Sequence, residues 1–587
     1  MMCVRKGSRC AALFCLLKAV GTLALAAGLA FAQPAPEPAS GRSPKEIVSA
    51  KRLVIAAAHP LAVDAGYGIL QRGGSAIDAA IAVQMVLNLV EPQSSGIGGG
   101  AFILHYSAND SKLAAYDGRE TAPATARADR FLGAGGQPLK HLDAVVGGRS
   151  VGTPGVLRAL ELAHAKYGKL PWAELFQPAI HVATEGFPLS PRLYSLLERV
   201  RLPARDQAMR RLYYLDDDTP KPVGKLLKNP ALADTLGRIA TQGANAFYQG
   251  EIARDIVSKV SNAPNPGDLS VGDLSQFRAK QREPVCGPYR QWKVCGMPPP
   301  SSGGIAVLQV LGMLQQLAPD KLPSDPVRAA HLVTEAERLA YADRERHLAD
   351  SDFVAVPLAG LISPEYLAAR AALIQPDRSL GRAPPGSPAG APLAEHANDA
   401  SPELASTSHL SIVDADGNAV AMTTSIDFAF GSQQMVRGFL LNNQLTDFSF
   451  IAQQDGKPVA NRIEPGKRPR SAMAPTMVFD LDGKLVLALG SAGGSAIINH
   501  VVKVLVAVLD WNMDLQHAIA LPNFGSRNGP TELERDTVAA GWAEPLRALG
   551  HEVRLIDMTS GVHGIQRTRS GWSGAADPRR EGVAKGD

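Results

Sequence analysis

The sequence predicts a mixed α/β (α+β) fold, with helices layered on both sides of antiparallel sheets. Three observations predict it. Residues 75–90 form a helical stretch that is apolar nearly all round, the signature of a core helix. Residues 409–413 and 419–425 alternate or run apolar around Asp414-Ala415-Asp416-Gly417-Asn418, whose Asp-Gly pair is a strong hairpin signal. Further strand-like runs at 101–106 and 484–489 alternate along the chain with helical segments, and no internal repeat is visible.

Taken in order, the chain opens with Arg5, Lys6, Arg9 and Lys18 and no acidic residue. An apolar stretch at 19–32 follows, ending Ala30-Phe31-Ala32. This reads as a secretory signal peptide, residues 1–32, with an Ala-x-Ala cut site, since the stretch is short of the roughly 20 residues that span a bilayer. A retained anchor is the other reading. Removing 1–32 takes away four basic residues and no acidic one, so the formal charge of +4 falls to zero. Nothing then argues for nucleic acid binding. The expected location is periplasmic or secreted, with no membrane association after the signal is removed. Three of the five cysteines leave with the signal. Cys286 and Cys295 remain, on either side of Gly287-Pro288-Tyr289-Arg290. They are either a disulfide across a short hairpin or two buried thiols.

Ser75 caps the first helix, which stops at Glu91-Pro92. Thr153-Pro154 predicts another helix start, with a Thr cap and Pro in the first turn. Gly148-Arg149-Ser150-Val151-Gly152 matches the nucleophile elbow of α/β-hydrolases, although Thr153-Pro154 delays the helix that should follow Ser150 directly. Residues 381–402 are rich in Pro, Gly and Ala and read as a disordered or extended linker.

That linker leads to Ser406-Thr407-Ser408-His409, at the start of the hairpin. A Thr hydroxyl is a poor nucleophile until a base sits beside it. The simplest base is the residue's own α-amine, freed by cutting the preceding peptide bond. Its reference pKa of about 8 suits a general base near neutral pH. Thr407 is therefore a candidate hidden N-terminus of a self-cleaving precursor. An ordinary Ser/Thr-rich strand start is the plainer reading of these residues alone.

Six segments together carry a resemblance. They are Asp117-Gly118-Arg119-Glu120, the Pro298–Gly304 stretch PPPSSGG with Met297 before it, Thr407–Asp414 (TSHLSIVD), Leu441-Asn442-Asn443-Gln444 with Asp447-Phe448-Ser449, Gly466-Lys467-Arg468-Pro469, and Gly490–Ser495 (GSAGGS). In this order they resemble the γ-glutamyltransferase (γ-glutamyl transpeptidase, glutathione hydrolase) family of N-terminal-nucleophile hydrolases, over residues 45–580. The resemblance implies a four-layer αββα sandwich formed by two subunits of one precursor: a large subunit, 33–406, ending in the linker 381–406, and a small subunit, 407–587. It also implies a heterodimer that takes γ-glutamyl donors such as glutathione, with water, amino acids or peptides as acceptors. Neither a cofactor nor a metal is expected; no His-Glu-x-x-His or paired Cys-x-x-Cys occurs.

The same resemblance distributes the roles. Thr407 is the processing residue and catalytic nucleophile. Ser425, where the family often has a second Thr, hydrogen-bonds it. Gly493 and Gly494 form the oxyanion hole, where the lack of a Cβ lets backbone N–H groups approach. Arg119 grips the substrate α-carboxylate with help from Ser471, and Gln444 and Asp447 hold its ammonium. The chain also departs from the pattern. Asp427 replaces the usual Asn of the ammonium pocket, and Ala472 replaces a second Ser. The 447–471 interval is short and lacks Tyr, which puts a lid in doubt. These departures keep open a related acylase acting on glutaryl or cephalosporin side chains. More remote readings are a Ser150 hydrolase and a catalytically dead periplasmic binding protein.

Overall fold

The computed structural model describes residues 41–199, 206–392, 396–399, 401 and 406–587. The expected signal peptide lies outside them. Two seven-stranded sheets, every neighbouring pair antiparallel, form the centre. The first runs in the order Val583–Gly586, Val54–Ala57, Ser408–Val413, Ala419–Ser425, Gly100–Ser107, Lys112–Asp117, Lys280–Arg282. The other runs Val48–Ala50, Gly571–Ala576, His563–Thr568, Leu485–Gly490, Thr476–Phe479, Trp292–Gly296, Val285–Tyr289.

Side-chain alternation on the first sheet generates the layers. Leu410, Ile412, Val420, Met422, Ala101 and Ile103 point to one apolar cluster, shared with the helices Pro60–Gln71 and Ala76–Val90. Their neighbours Val413, Ala419, Ala421, Phe102 and Leu104 point to another, which holds the other sheet and the helices Gly303–Leu317, Pro326–His347 and Ile497–Leu509. The result is helix, sheet, sheet, helix: the four-layer αββα sandwich.

Several local expectations hold. Ala76–Val90 is a helix buried along its whole length, with Ser75 and Asp78 forming a reciprocal capping box. The hairpin strands are Ser408–Val413 and Ala419–Ser425, with Gly417 in the turn at φ +82°. Cys286 and Cys295 face each other across the Val285–Tyr289/Trp292–Gly296 hairpin and are joined as a disulfide. Among the described residues, no helix is long and apolar enough to cross a membrane.

One expectation is corrected. The helix expected at Thr153-Pro154 begins at Val156, and Thr153 caps nothing. Thr153 instead pairs with Thr121 in an isolated bridge, while the N–H groups of Gly155 and Val156 bond Gly99 O. The linker has no helix or strand over 381–392, but it is tethered. Ala383 N–H donates to Asn528 Oδ1 (2.8 Å), and Gly386 N–H to Asp343 Oδ1 (2.7 Å).

Candidate active site

Register places the first two groups. Ser408 pairs with Thr424 across the hairpin, so the next rung sets Thr407 opposite Ser425, with hydroxyl oxygens 3.4 Å apart. Thr407 Oγ1 donates to the Ser406 carbonyl oxygen at 2.6 Å, and Ser425 Oγ donates to the same oxygen at 2.8 Å. The Asp427 N–H in turn donates to Ser425 Oγ at 2.8 Å, which orients that hydroxyl. The carbonyl beside the Thr407 hydroxyl is thus polarised by a second hydroxyl, an arrangement suited to attack on the Ser406 carbonyl carbon.

The junction is anchored from the other side by residues that carry no signal in the sequence. Ser406 Oγ donates to Gln93 O at 2.7 Å, and Ser408 Oγ to Glu91 Oε2 at 2.9 Å. Glu91 is fully buried, and its other oxygen accepts from Arg192 Nε at 3.2 Å. Glu91 is legible only as the stop of the preceding helix; its partners lie far away in the chain.

One small pocket brings together Thr407, Ser425, Asp427, Arg119, Gln444, Asp447, Ser471, Ala472 and Gly494, with Met473 and Ile497 completing its wall. Gly493 is the one candidate not on this lining. It sits a residue back, at φ +125°, a backbone conformation open to glycine. Gly494 leads through a short 3₁₀ turn into the helix Ile497–Leu509, whose first residue lines the pocket.

Arg119 is completely buried. It forms an ion pair with Asp447 through Nη2, and donates from Nη2 to Arg470 O (3.0 Å) and from Nε to Pro469 O (3.1 Å). Burial opposes its charge, but Asp447 and Glu120 outweigh that and raise its pKa. Its neighbour Glu120 is also fully buried, and burial pushes its carboxyl up to about 8. Asp427 sits at φ +75°, a conformation that Asn and Asp tolerate better than most residues. Its Oδ2 accepts from Asn443 Nδ2 (2.5 Å) and Thr446 Oγ1 (3.2 Å). The two pocket carboxylates are therefore each already partnered. Gln444 differs: its Oε1 is buried without a hydrogen bond within the protein. Asn442 accounts for the shape of this wall. Its amide donates to Gly98 O and Gly152 O and accepts from the N–H groups of Gly152 and Gln444. Ser471 is fixed by its backbone, its carbonyl accepting from both the N–H and the Oγ of Ser302 (2.7 Å each).

The Ser150 elbow is overturned. Ser150 Oγ donates to Val145 O (2.6 Å) and Gly147 O (3.1 Å) inside a 3₁₀ turn, and the residue is fully buried. It closes a turn.

Residues 62–587 match the family described as Gamma-glutamyltranspeptidase. The chain is 33% identical to the glutathione hydrolase proenzyme of Bacillus subtilis (strain 168), over 97% of this chain and 98% of that one. It is 34% identical to the Acylase ACY 1 proenzyme of Pseudomonas sp. (strain V22), over 94% and 96%. In structure it is similar to a cephalosporin acylase from Bacillus halodurans, with a TM-score of 0.81 at 27% identity, covering 93% of this chain and 98% of that one. With the match to the family spanning nearly the whole chain, this protein is a member of the gamma-glutamyltranspeptidase family of N-terminal-nucleophile hydrolases.

Proposed function

We propose that the chain is a precursor that cuts itself between Ser406 and Thr407 and then cleaves γ-glutamyl amides such as glutathione. In processing, Thr407 Oγ1 attacks the Ser406 carbonyl carbon. The peptide nitrogen leaves as the Thr407 amine, an ester forms, and water releases the Ser406 carboxylate. Ser425 is the donor to the developing oxyanion. The products are a large subunit, 33–406, and a small subunit, 407–587, held together by the shared sheets. In turnover, the same Thr407 oxygen attacks the γ-carbonyl of the donor, with Gly493 and Gly494 as oxyanion donors. The acyl group then passes to water or to the amine of an amino acid or peptide.

The observation that carries this reading is the convergence in one pocket of the Thr407 hydroxyl, the Arg119–Asp447 pair and the unmet acceptor Gln444 Oε1. A free α-amino acid end suits it. Its carboxylate can bond Arg119 and Ser471, and its ammonium can reach Asp447 and satisfy Gln444. Asp427 then acts chiefly by shaping the wall, since Asn443 and Thr446 hold its carboxylate. Ala472 supplies no hydroxyl. A signal peptide over 1–32 directs the protein to the periplasm or outside the cell, where the Cys286–Cys295 disulfide is stable.

The alternative reading, an acylase for glutaryl or cephalosporin side chains, is favoured by the acylase relatives. A glutaryl group has no amine and leaves Gln444 Oε1 unmet. Turnover of γ-glutamyl-p-nitroanilide, glutathione and glutaryl-p-nitroanilide by one preparation separates the two. Equal or faster glutaryl turnover would replace the γ-glutamyl reading with the acylase one. A denaturing gel with N-terminal sequencing of the smaller band tests the cut; a start at any residue other than Thr407 defeats the processing scheme.

A further inference from the structure

The base in this reaction, the Thr407 α-amine, works only when unprotonated. With a reference pKa of about 8, most of such an amine carries a proton at pH 7. The charges around Thr407 therefore decide how much of the enzyme is ready to react.

Arg580, in the C-terminal loop, is 3% exposed. Its Nη1 donates to the Thr407 carbonyl at 2.8 Å, and its Nε to Thr559 Oγ1 at 3.2 Å. Nitrogen and carbonyl oxygen of one residue lie about 3–3.5 Å apart, so the guanidinium sits within about 6 Å of the nitrogen that becomes the amine. Gly561 makes room for it. That residue is at φ +57°, and a Cβ there would collide with Arg580 Nε and Cδ. The residue before it, Ser560, accepts at its carbonyl from Ser491 Oγ (2.5 Å) and Ala492 N–H (2.8 Å), at the head of the Gly493–Gly494 loop.

We propose that Arg580 is a positioning residue that keeps the mature Thr407 α-amine in its unprotonated form while fixing the Thr407 carbonyl against the Thr559–Gly561 segment, to which the glycine loop is hydrogen-bonded. The proposal rests on Thr407 being the N-terminal nucleophile. A cation within about 6 Å disfavours a second cation. The other charges facing the amine act less directly. From the end of the helix Ala76–Val90, Glu91 would favour protonation, but it is ion-paired with Arg192; Glu581, next to Arg580, accepts from the Arg192 N–H (2.9 Å), and burial raises its pKa, which weakens its charge. Across the pocket, Arg119 and Asp447 pair with each other, and Asp427 is held by Asn443 and Thr446. Behind the sheet, burial holds His500 and His563 neutral, each down to about 3. Asp577 is matched by Arg579 at 3.1 Å. Arg580 is the cation whose hydrogen bond reaches Thr407 itself. Self-cleavage has no need of this charge, because the nitrogen is then still part of a peptide.

The test is the pH profile of kcat/KM for γ-glutamyl-p-nitroanilide, using self-cleaved wild type, Arg580→Gln, Arg580→Met and Arg580→Lys. In the two neutral variants the acidic limb should move up by about one pH unit, a loss of about tenfold near pH 6 that closes above pH 9. Arg580→Lys should stay within a few tenths of a unit of wild type. An unmoved limb in the neutral variants, or a Lys variant displaced as far as Gln, overturns the proposal. So does failure of both neutral variants to cleave while Lys cleaves, which would assign Arg580 to processing. An uncut wild type, or an active Thr407→Ala, instead defeats the nucleophile assignment beneath it.

Discussion

Two buried polar clusters in this molecule invite comparison. One is the pocket around Arg119, Asp447 and Gln444. The other is His331 and Glu335, on the helix Pro326–His347, with His551, which lies just before the strand Val553–Ile556. By residue type the histidine cluster has the stronger claim to be a site, since two His and a Glu could hold a metal ion. Its hydrogen bonds say otherwise. Arg338 donates to Thr531 Oγ1, and that hydroxyl lies 2.8 Å from His551 Nδ1. His551 Nε2 lies 2.8 Å from His331 Nδ1, and His331 Nε2 lies 2.7 Å from Gln375 O. One choice of tautomers, with both Nε2 atoms protonated, satisfies every ring nitrogen. Glu335 is equally occupied, by Arg338, Ser379 and Leu380. The pocket, by contrast, leaves Gln444 Oε1 unmet. A closed network serves the fold; buried acceptors without donors mark a place for something else to bind.

The comparison can be broken most sharply at Thr407. Thr407→Ala should run as one uncut chain on a denaturing gel with no γ-glutamyl-p-nitroanilide activity; full activity would end the pocket's claim to chemistry. Next is Arg119→Ala, which leaves Asp447 buried without its cation. It should lower kcat/KM by the equivalent of about 2–5 kcal/mol while cleavage at Thr407 proceeds. Unchanged kinetics would remove Arg119 from the site. Ser425→Ala removes one donor from the Ser406 carbonyl and should slow self-cleavage by about 10²-fold or more, measured as the decay of full-length precursor. On the structural side, His551→Gln should cost about 1–3 kcal/mol in a denaturant melt, leave the kinetics of the cleaved enzyme alone, and make no difference to its response to chelators.

The smallest effect concerns pH. Burial lowers His551 to about 4 in the folded state, against an ordinary 6.5. Between those values the unfolded chain binds the extra proton, so stability is lost as pH falls from 6.5 towards 4. His551→Gln should flatten part of that dependence in melts at about pH 7 and about pH 4.5. An identical slope would detach His551 from it.

The two clusters also differ in how far they can be read without coordinates. The hairpin that begins at Thr407 is local: Asp416-Gly417 fixes the turn, and period two then sets Thr407 opposite Ser425. Arg119 and Asp447 are 328 positions apart, and only their familiar neighbours suggest that they meet. Glu91, Arg192 and Arg580 carry no such local signal. Each reads as an ordinary charge until folding brings it to the Ser406–Thr407 junction. The supposed Ser150 elbow fails for the opposite reason, a pattern without its context, because its hydroxyl is consumed by two turn carbonyls.

By itself the sequence determined the alternating strands, the buried capped helix, the hairpin that presents Thr407 and the family to which the chain belongs. These depend on short-range periodicity, turn chemistry and ordered motifs, which a linear string preserves. Only the tertiary structure decided that the linker is tethered, that Asp427 and Asp447 already have partners, that Gln444 does not, and that Arg580 lies against Thr407. Those facts depend on which polar groups remain unmet after residues hundreds of positions apart have been packed together. Burial makes that difference energetically large.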